Sequence, residues 1–319
     1  MRCTRYLTIA PLLVFHGCQR VHPDLIIDVD AKVNPWTDLD FQVNNDGNPD
    51  HFQFAVWGDP HYALGSSYSV AGVQACAAAM ERYKPEFVIT VGDNIEGNFQ
   101  DGNFHTLWPD RDVPWLTGNW CTETEAKQLL NSEWDDLDAL TKPMASPMFY
   151  CAGNHELTTQ GQYIGYERDD TRDDNGKDFS VEVWEERYGR QYYHFVYRNV
   201  LFLIANTEDP PHDHMSAAQN AYFDKVLATY GPGDVRWTFL IQHQPPKNSG
   251  LGEIEDKLSG RNHTTFHGHD HSWRPGGTVY AIPPTYQGKV VWVTMTDEGP
   301  VIRLVTDLDS LEEAVAAEE

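Results

Sequence analysis

The chain has 319 residues, with 40% apolar residues and 10 Trp, 15 Tyr and 14 Phe, enough to bury a sizeable core and to exclude a disordered polymer. Its 48 acidic against 23 basic residues give a formal charge of −25, which excludes the basic stripe that a nucleic-acid surface needs. The same excess of carboxylates argues against adhesion to anionic lipid.

The first element in chain order is a targeting segment. "MRCTR" supplies a basic start and "YLTIAPLLVF" a ten-residue apolar run, too short to span a bilayer, which takes about 20 residues. Residues 1–20 are therefore read as an export signal, so the mature protein is expected to be periplasmic, secreted or lipid-anchored. Gly17-Cys18 invites a lipid anchor at Cys18, although Phe15 and His16 fit the usual lipobox poorly. No later segment is long and apolar enough for a membrane helix. Cys76, Cys121 and Cys151 are too few and too scattered for a disulfide framework, and no Cys-x-x-Cys occurs.

A polar lead-in occupies residues 21–50, the main domain 51–308, and an acidic tail 309–319. Within the main domain short apolar strands alternate with helices. Strands are expected at 52–57, 86–91, 148–152 and 236–242, and as a pair over 193–206 turning at Arg198-Asn199. Helices are expected at 69–83, 124–140 and 216–230, the first with Val70, Val73, Ala77 and Met80 on one face. "VVWVTM" and "VIRLVTDL" close the domain. Residues 97–122 and the charged "ERDDTRDDNGKD" (167–178) are read as surface loops. Alternation of this kind means a layered α/β domain.

The chemistry-bearing residues follow the strands. The apolar runs lead into Gly58-Asp59-Pro60-His61, Gly92-Asp93-Asn94, Gly153-Asn154-His155-Glu156, Gln242-His243-Gln244 and Gly268-His269-Asp270-His271. Open α/β sheets bind ligands outside the carboxyl ends of their strands. A single Gly-Asp is an ordinary turn, and a single His is an ordinary hydrogen-bonded loop residue. Five blocks in register supply enough nitrogen and oxygen donors for two borderline metal ions. "TTFHGHDHSW" adds three imidazoles in five positions, and an extended strand would point them to one side.

These blocks, "GDPH", "GDNIE", "GNHE", "QHQPP" and "GHDH", resemble the calcineurin-like metallophosphoesterases in composition and in order, over roughly residues 52–300. The resemblance implies a four-layer α/β/β/α sandwich and hydrolysis of small-molecule phosphoesters by two metal ions, Mn, Zn or Fe. It implies that Asp59, His61, Asp93 and His271 hold the first ion, and Asp93, Asn154, His243 and His269 the second. Asp93 would bridge, and His155 would protonate the leaving group without binding metal. His267 falls outside the pattern. The purple acid phosphatase branch replaces the first-block His and has Tyr three residues after the bridging Asp. In this chain His61 is kept and Glu96 stands at the second place, so an iron–tyrosinate centre is not expected. Many relatives have His-His before the double proline, whereas Gln242 precedes His243 in this chain, which bears on substrate contacts.

Other signals are weaker. "TRDDNGKDFSVE" (171–182) approximates a calcium loop, but Thr171 stands where the first Asp belongs and Asp178 where an apolar residue is usual. The rival to an enzyme is an exported metal-binding protein or non-catalytic relative with the same ligands. His155 argues against it, since metal capture needs no acid there. A metallo-β-lactamase-type hydrolase would need His-x-His-x-Asp-His, which is absent.

Overall fold

A computed structural model describes residues 25–27, 51–64, 68–97, 123–157, 173–209, 215–246 and 252–311. The segment 1–20 with Cys18, most of the lead-in, and the tryptophan-rich stretch after Gly97 lie outside the described residues.

Two sheets form the centre. In the first, β2 (Phe52–Trp57), β3 (Phe87–Thr90) and β4 (Met148–Phe149) run parallel, and β11 (Val290–Thr296) and β12 (Gly299–Val305) add antiparallel, giving the order β12-β11-β2-β3-β4. In the second, β5 (Tyr193–Tyr197) and β6 (Val200–Ile204) form a hairpin, and β7 (Trp237–Ile241), β8 (His263–His267) and β10 (Val279–Ala281) continue parallel to β6. Two short antiparallel edges complete it, β1 (Leu25–Ile27) on β5 and β9 (Arg274–Gly276) on β10. The lead-in thus contributes an edge strand.

Side-chain alternation sorts these strands into layers. Phe54 and Val56 point inward and meet Phe202, Phe239 and Ile241 of the other sheet in one buried cluster. Phe54 lies 5.4 Å from Phe202 and 5.2 Å from Phe239, ring centre to ring centre, both edge-on. Each such phenylalanine contributes about 1.5–3 kcal/mol by leaving water. Ala55 and Trp57 point the other way, onto α1 (Val70–Tyr83), α2 (Glu123–Thr141) and α4 (Asp173–Tyr188). On the far side Leu201, Leu203 and Leu240 pack against α5 (Ala217–Thr229) and against Ile254 of α6 (Gly252–Lys257). The result is the expected α/β/β/α sandwich.

Local chemistry starts two of the helices and turns the hairpin where it was expected, at Arg198-Asn199. Ser69 caps α1 by accepting from the Gly72 amide at 3.3 Å, and Ser216 caps α5 by accepting from Gln219 at 3.1 Å. Arg198 and Asn199 both take positive φ, 46° and 59°, the backbone of a type I′ hairpin turn.

Three expectations need correction. The strand read as 148–152 ends at Phe149, and the motif that follows opens a single helical turn, α3 (Asn154–Leu157). Residues 173–178, read as loop, begin α4, and Thr171 and Arg172 at the head of the approximate calcium motif lie outside the described residues. His269 and His271 do not share an extended strand, because β8 stops at His267 and both lie beyond it at φ 65° and 48°. Cys76 and Cys151 are buried free thiols.

Candidate metal centre

The five blocks meet where the two sheets' carboxyl ends face each other. Strands β2 and β3 and the start of α3 deliver Asp59, His61, Asp93, Asn154 and His155 from one sheet. Strands β7 and β8 deliver His243, His269 and His271 from the other. Backbone bonds lock the ends together: His61 N–H donates to the Asp93 carbonyl at 2.8 Å, and Gly268 N–H to the His243 carbonyl at 3.1 Å. The His243 ring ties one sheet to the other, its Nδ1–H donating to the Val91 carbonyl at 2.9 Å. That bond turns Nε2 and its lone pair toward the centre.

The loops that achieve this are strained. Of the eight non-glycine residues with positive φ among the described residues, five are Asp59, His61, Asp93, His269 and His271. Such conformations cost energy and persist only where the surroundings impose them. The motif glycines give the room. A Cβ on Gly92, at φ 96°, would come within 2.5 Å of His243 Nδ1, and one on Gly153 within 2.3 Å of the Asp93 amide.

Two groups of donor atoms converge. Asp59, His61, Asp93 and His271 form one, and Asp93, His243 and His269 the other, with Asp93 in both. His61 Nε2 and His271 Nε2 stand 3.2 Å apart. Two nitrogens bound to one zinc at the tetrahedral angle would stand about 3.3 Å apart. His243 Nε2 lies 3.2 Å from Asp93 Oδ2 and 3.3 Å from His269 Nδ1. Asn154 Oδ1 joins the second group, 2.8 Å from His243 Nε2 and 3.1 Å from His269 Nδ1. His155 sits beside Asp93, its amide donating to Oδ1 at 3.0 Å and its Nε2 4.0 Å from Oδ2. Its Nδ1–H donates to the Glu96 carbonyl.

The electrostatics fit a cation-binding centre. Burial pushes Asp59 up to about 8, against the pull of His243 and with a further push from Asp93. Burial also opposes charge on Asp93, but His243, His155 and His61 hold it well below the usual carboxylate range. Burial would lower His243, yet the Asp93 carboxylate lifts it to about 10. Burial, with the neighbouring His155, drives His61 well down, and burial lowers His271 too. Asp59 Oδ2 is buried with no hydrogen-bond donor on it. A buried carboxylate oxygen without a donor is costly, and a cation beside it removes the cost. Imidazole nitrogens and carboxylate and amide oxygens converging at one seam are the donor set borderline metals take. The residues present fit two such ions.

All seven anticipated donors and His155 are gathered at this seam. His267 is not; its Nδ1–H donates to the adjacent Gly268 carbonyl at 3.0 Å and burial depresses it to about 4. His263 is likewise remote from both groups and bonds Glu255 at 3.1 Å. Sequence reading missed Tyr286, whose hydroxyl meets His271 Nδ1 at 3.2 Å, and Tyr68, stacked on His61 at 4.4 Å. No local motif marks either tyrosine. Glu156 was visible in its block but without a role: it accepts from the Gly153 amide at 3.0 Å and from Asn94, so it holds the loops that carry Asn154 and Asp93. Among the described residues no helix is long and apolar enough to cross a membrane.

Comparison with known proteins agrees with this geometry. The family profile described as calcineurin-like phosphoesterase matches residues 52–273. Among solved structures, purple acid phosphatase PPD1 from yellow lupin (Lupinus luteus) seeds is similar with a TM-score of 0.53 and 14% identity, over 80% of this chain. The chain spans about half of the lupin protein's length, 51%. A structure of PhoD is similar with a TM-score of 0.48 and 12% identity, over 79% of this chain and 68% of that one. No curated protein matches the chain.

Proposed function

The chain belongs to the calcineurin-like phosphoesterase family, and from that premise we propose that it hydrolyses small phosphoesters at a dinuclear metal centre. The carrying observation is the pair of donor groups that share Asp93. Asp59, His61, Asp93 and His271 would hold one ion, and Asp93, Asn154, His243 and His269 the other. When bound, two such cations supply charge neutralisation for the phosphoryl oxygens and a water acidic enough to react at neutral pH. That local positive charge also lets an anionic ester approach a chain whose net charge is −25.

The chain's own residues divide the remaining work. Asn154 Oδ1 and the imidazoles of His243 and His269 would fix one wall of the pocket. Asp93 orients His155 through its bond to the His155 amide. Because Nδ1–H of His155 is committed to the Glu96 carbonyl, the proton available for transfer would be the one that the imidazolium form carries on Nε2. His155 Nε2–H would give that proton to the ester oxygen as its bond to phosphorus breaks, while the water oxygen bonds to phosphorus. The leaving group departs as an alcohol and not as an alkoxide.

The experiment compares alkyl with nitrophenyl esters in the metal-loaded protein and in His155→Ala. Loss of a general acid lowers turnover about 100- to 10,000-fold. The loss is expected on alkyl esters and to be small on nitrophenyl esters, whose leaving group departs without a proton. Metal content near two per chain is expected in both proteins. Full alkyl-ester turnover by His155→Ala, or loss of its metal, contradicts the role of His155 as a leaving-group acid that binds no metal.

A further inference from the structure

Helix α2 buries two carboxylates. Asp138 accepts from Arg187 and from the Tyr188 hydroxyl; Glu133, 1% exposed, shares the buried side of the helix with Leu129, Leu130, Trp134 and Leu137. Burying a carboxylate without a function is costly, and burial pushes this one up to about 8. Its Oε2 accepts from the Gly97 amide at 2.7 Å. Gly97 N–H and the Glu96 carbonyl are the two ends of one peptide unit, and that carbonyl accepts Nδ1–H of His155. Carboxylate, peptide and imidazole are therefore joined in series.

The peptide cannot drift. Gly97 takes φ 55°, and a Cβ there would lie 1.7 Å from the His155 carbonyl oxygen, so glycine alone allows this approach. A planar peptide moves as a rigid unit, so fixing its N–H also aims its C=O. Hydrogen bonds in series polarise one another, and an acceptor on the N–H makes the C=O a stronger acceptor.

We propose that Glu133 is a positioning residue for catalysis, holding His155 with Nδ1 protonated and Nε2 aimed at the leaving group through the Glu96–Gly97 peptide. This rests on the reading of His155 as the acid. An oriented imidazole is normally fixed by a direct acceptor on its far nitrogen; in this chain the orienting side chain acts one peptide removed. Among its described residues the helix that carries it contributes no donor to either metal group.

The test uses the full chain as wild type, Glu133→Ala, Glu133→Gln and His155→Ala. Glutamine keeps an acceptor oxygen for the Gly97 amide; alanine has none. In the metal-loaded proteins, Glu133→Ala is expected to lower kcat on alkyl esters about 10- to 100-fold, within the range of a displaced acid, with KM and nitrophenyl-ester turnover little changed. Glu133→Gln is expected to recover most of that loss, and metal content to stay near two per chain.

A second readout needs no activity. Ring nitrogen NMR of the metal-free protein, assigned by the signal missing in His155→Ala, is expected to report Nδ1–H on His155 in wild type and Glu133→Gln, and mixed tautomers in Glu133→Ala. An unchanged tautomer in folded Glu133→Ala overturns the proposal, as does an equal loss on alkyl and nitrophenyl esters. If His155→Ala shows no leaving-group dependence while the tautomer still follows Glu133, the role of His155 as acid fails and the positioning stands.

Discussion

At the scale of single residues the centre is built from side chains that water would otherwise claim. Asp59, Asp93 and His243 are buried; burial raises Asp59 to about 8, while Asp93 and His243 hold each other charged against burial. Gly153 shows how little slack there is. Its missing Cβ leaves room for both the Asp93 amide and, 2.4 Å from where that carbon would be, Asp93 Oδ1. Gly153→Ala is therefore expected to push the shared carboxylate aside and weaken both metal groups together. Displacements of about 1 Å can cost 100-fold in rate. Metal analysis after gel filtration, with turnover, checks this: a folded variant that keeps two ions and full rate would mean Asp93 has more freedom than the contacts allow. The seven residues of the two donor groups and His155 could be picked out because each follows an apolar run, through a glycine in every block but that of His243, which follows Gln242. Glu133, Tyr68 and Tyr286 could not, because their parts depend on neighbours distant in sequence.

At the scale of elements, legibility followed the strength of the local signal. The β5–β6 hairpin could be read with its turn, since two apolar runs flank Arg198-Asn199. Asn tolerates positive φ, but Arg does not favour it, and the reason for Arg198 is tertiary. Its side chain, 6% exposed, lies 3.8 Å from the fully buried Glu86 carboxylate and bonds the His51 carbonyl. Removing one partner of a buried pair costs about 3–5 kcal/mol, and relief of a left-handed residue returns about 1–2 kcal/mol. Arg198→Gly is thus expected to be destabilised by roughly 1–4 kcal/mol in urea unfolding, although glycine suits the turn better. A variant as stable as wild type would show that Glu86 is satisfied without Arg198. Helix α4 was not legible. "DDNGKD" reads as a turn, yet Val183, Trp184 and Tyr188 reach the core beside α2. Arg187 bonds Asp135 at 2.6 Å and Asp138 at 3.1 Å on α2, so packing against a neighbouring helix overrides weak local preference. The short β9 and β10 carried no readable pattern for the same reason: three residues each, defined only by pairing.

At the scale of the whole molecule, the two sheets do separate work until their ends meet. Each is a hydrophobic layer with helices outside, and the alternation of strands and helices made that architecture readable. What unites them functionally is the seam, where three blocks from one sheet face two from the other and Asp93 belongs to both donor groups. Metal at such a seam binds the folded chain and not the separated strands, so it couples to the stability of the entire sandwich. Whether the seam holds two ions is decided by a metal titration of the chelator-stripped protein. Mn, Zn or Fe is added in steps while bound metal per chain and phosphoester turnover are read in the same samples. No turnover is expected when stripped, with saturation at two ions per chain and recovery that completes only with the second. Full turnover in the stripped protein, or saturation at a single ion with full turnover, would contradict a catalytic dinuclear centre.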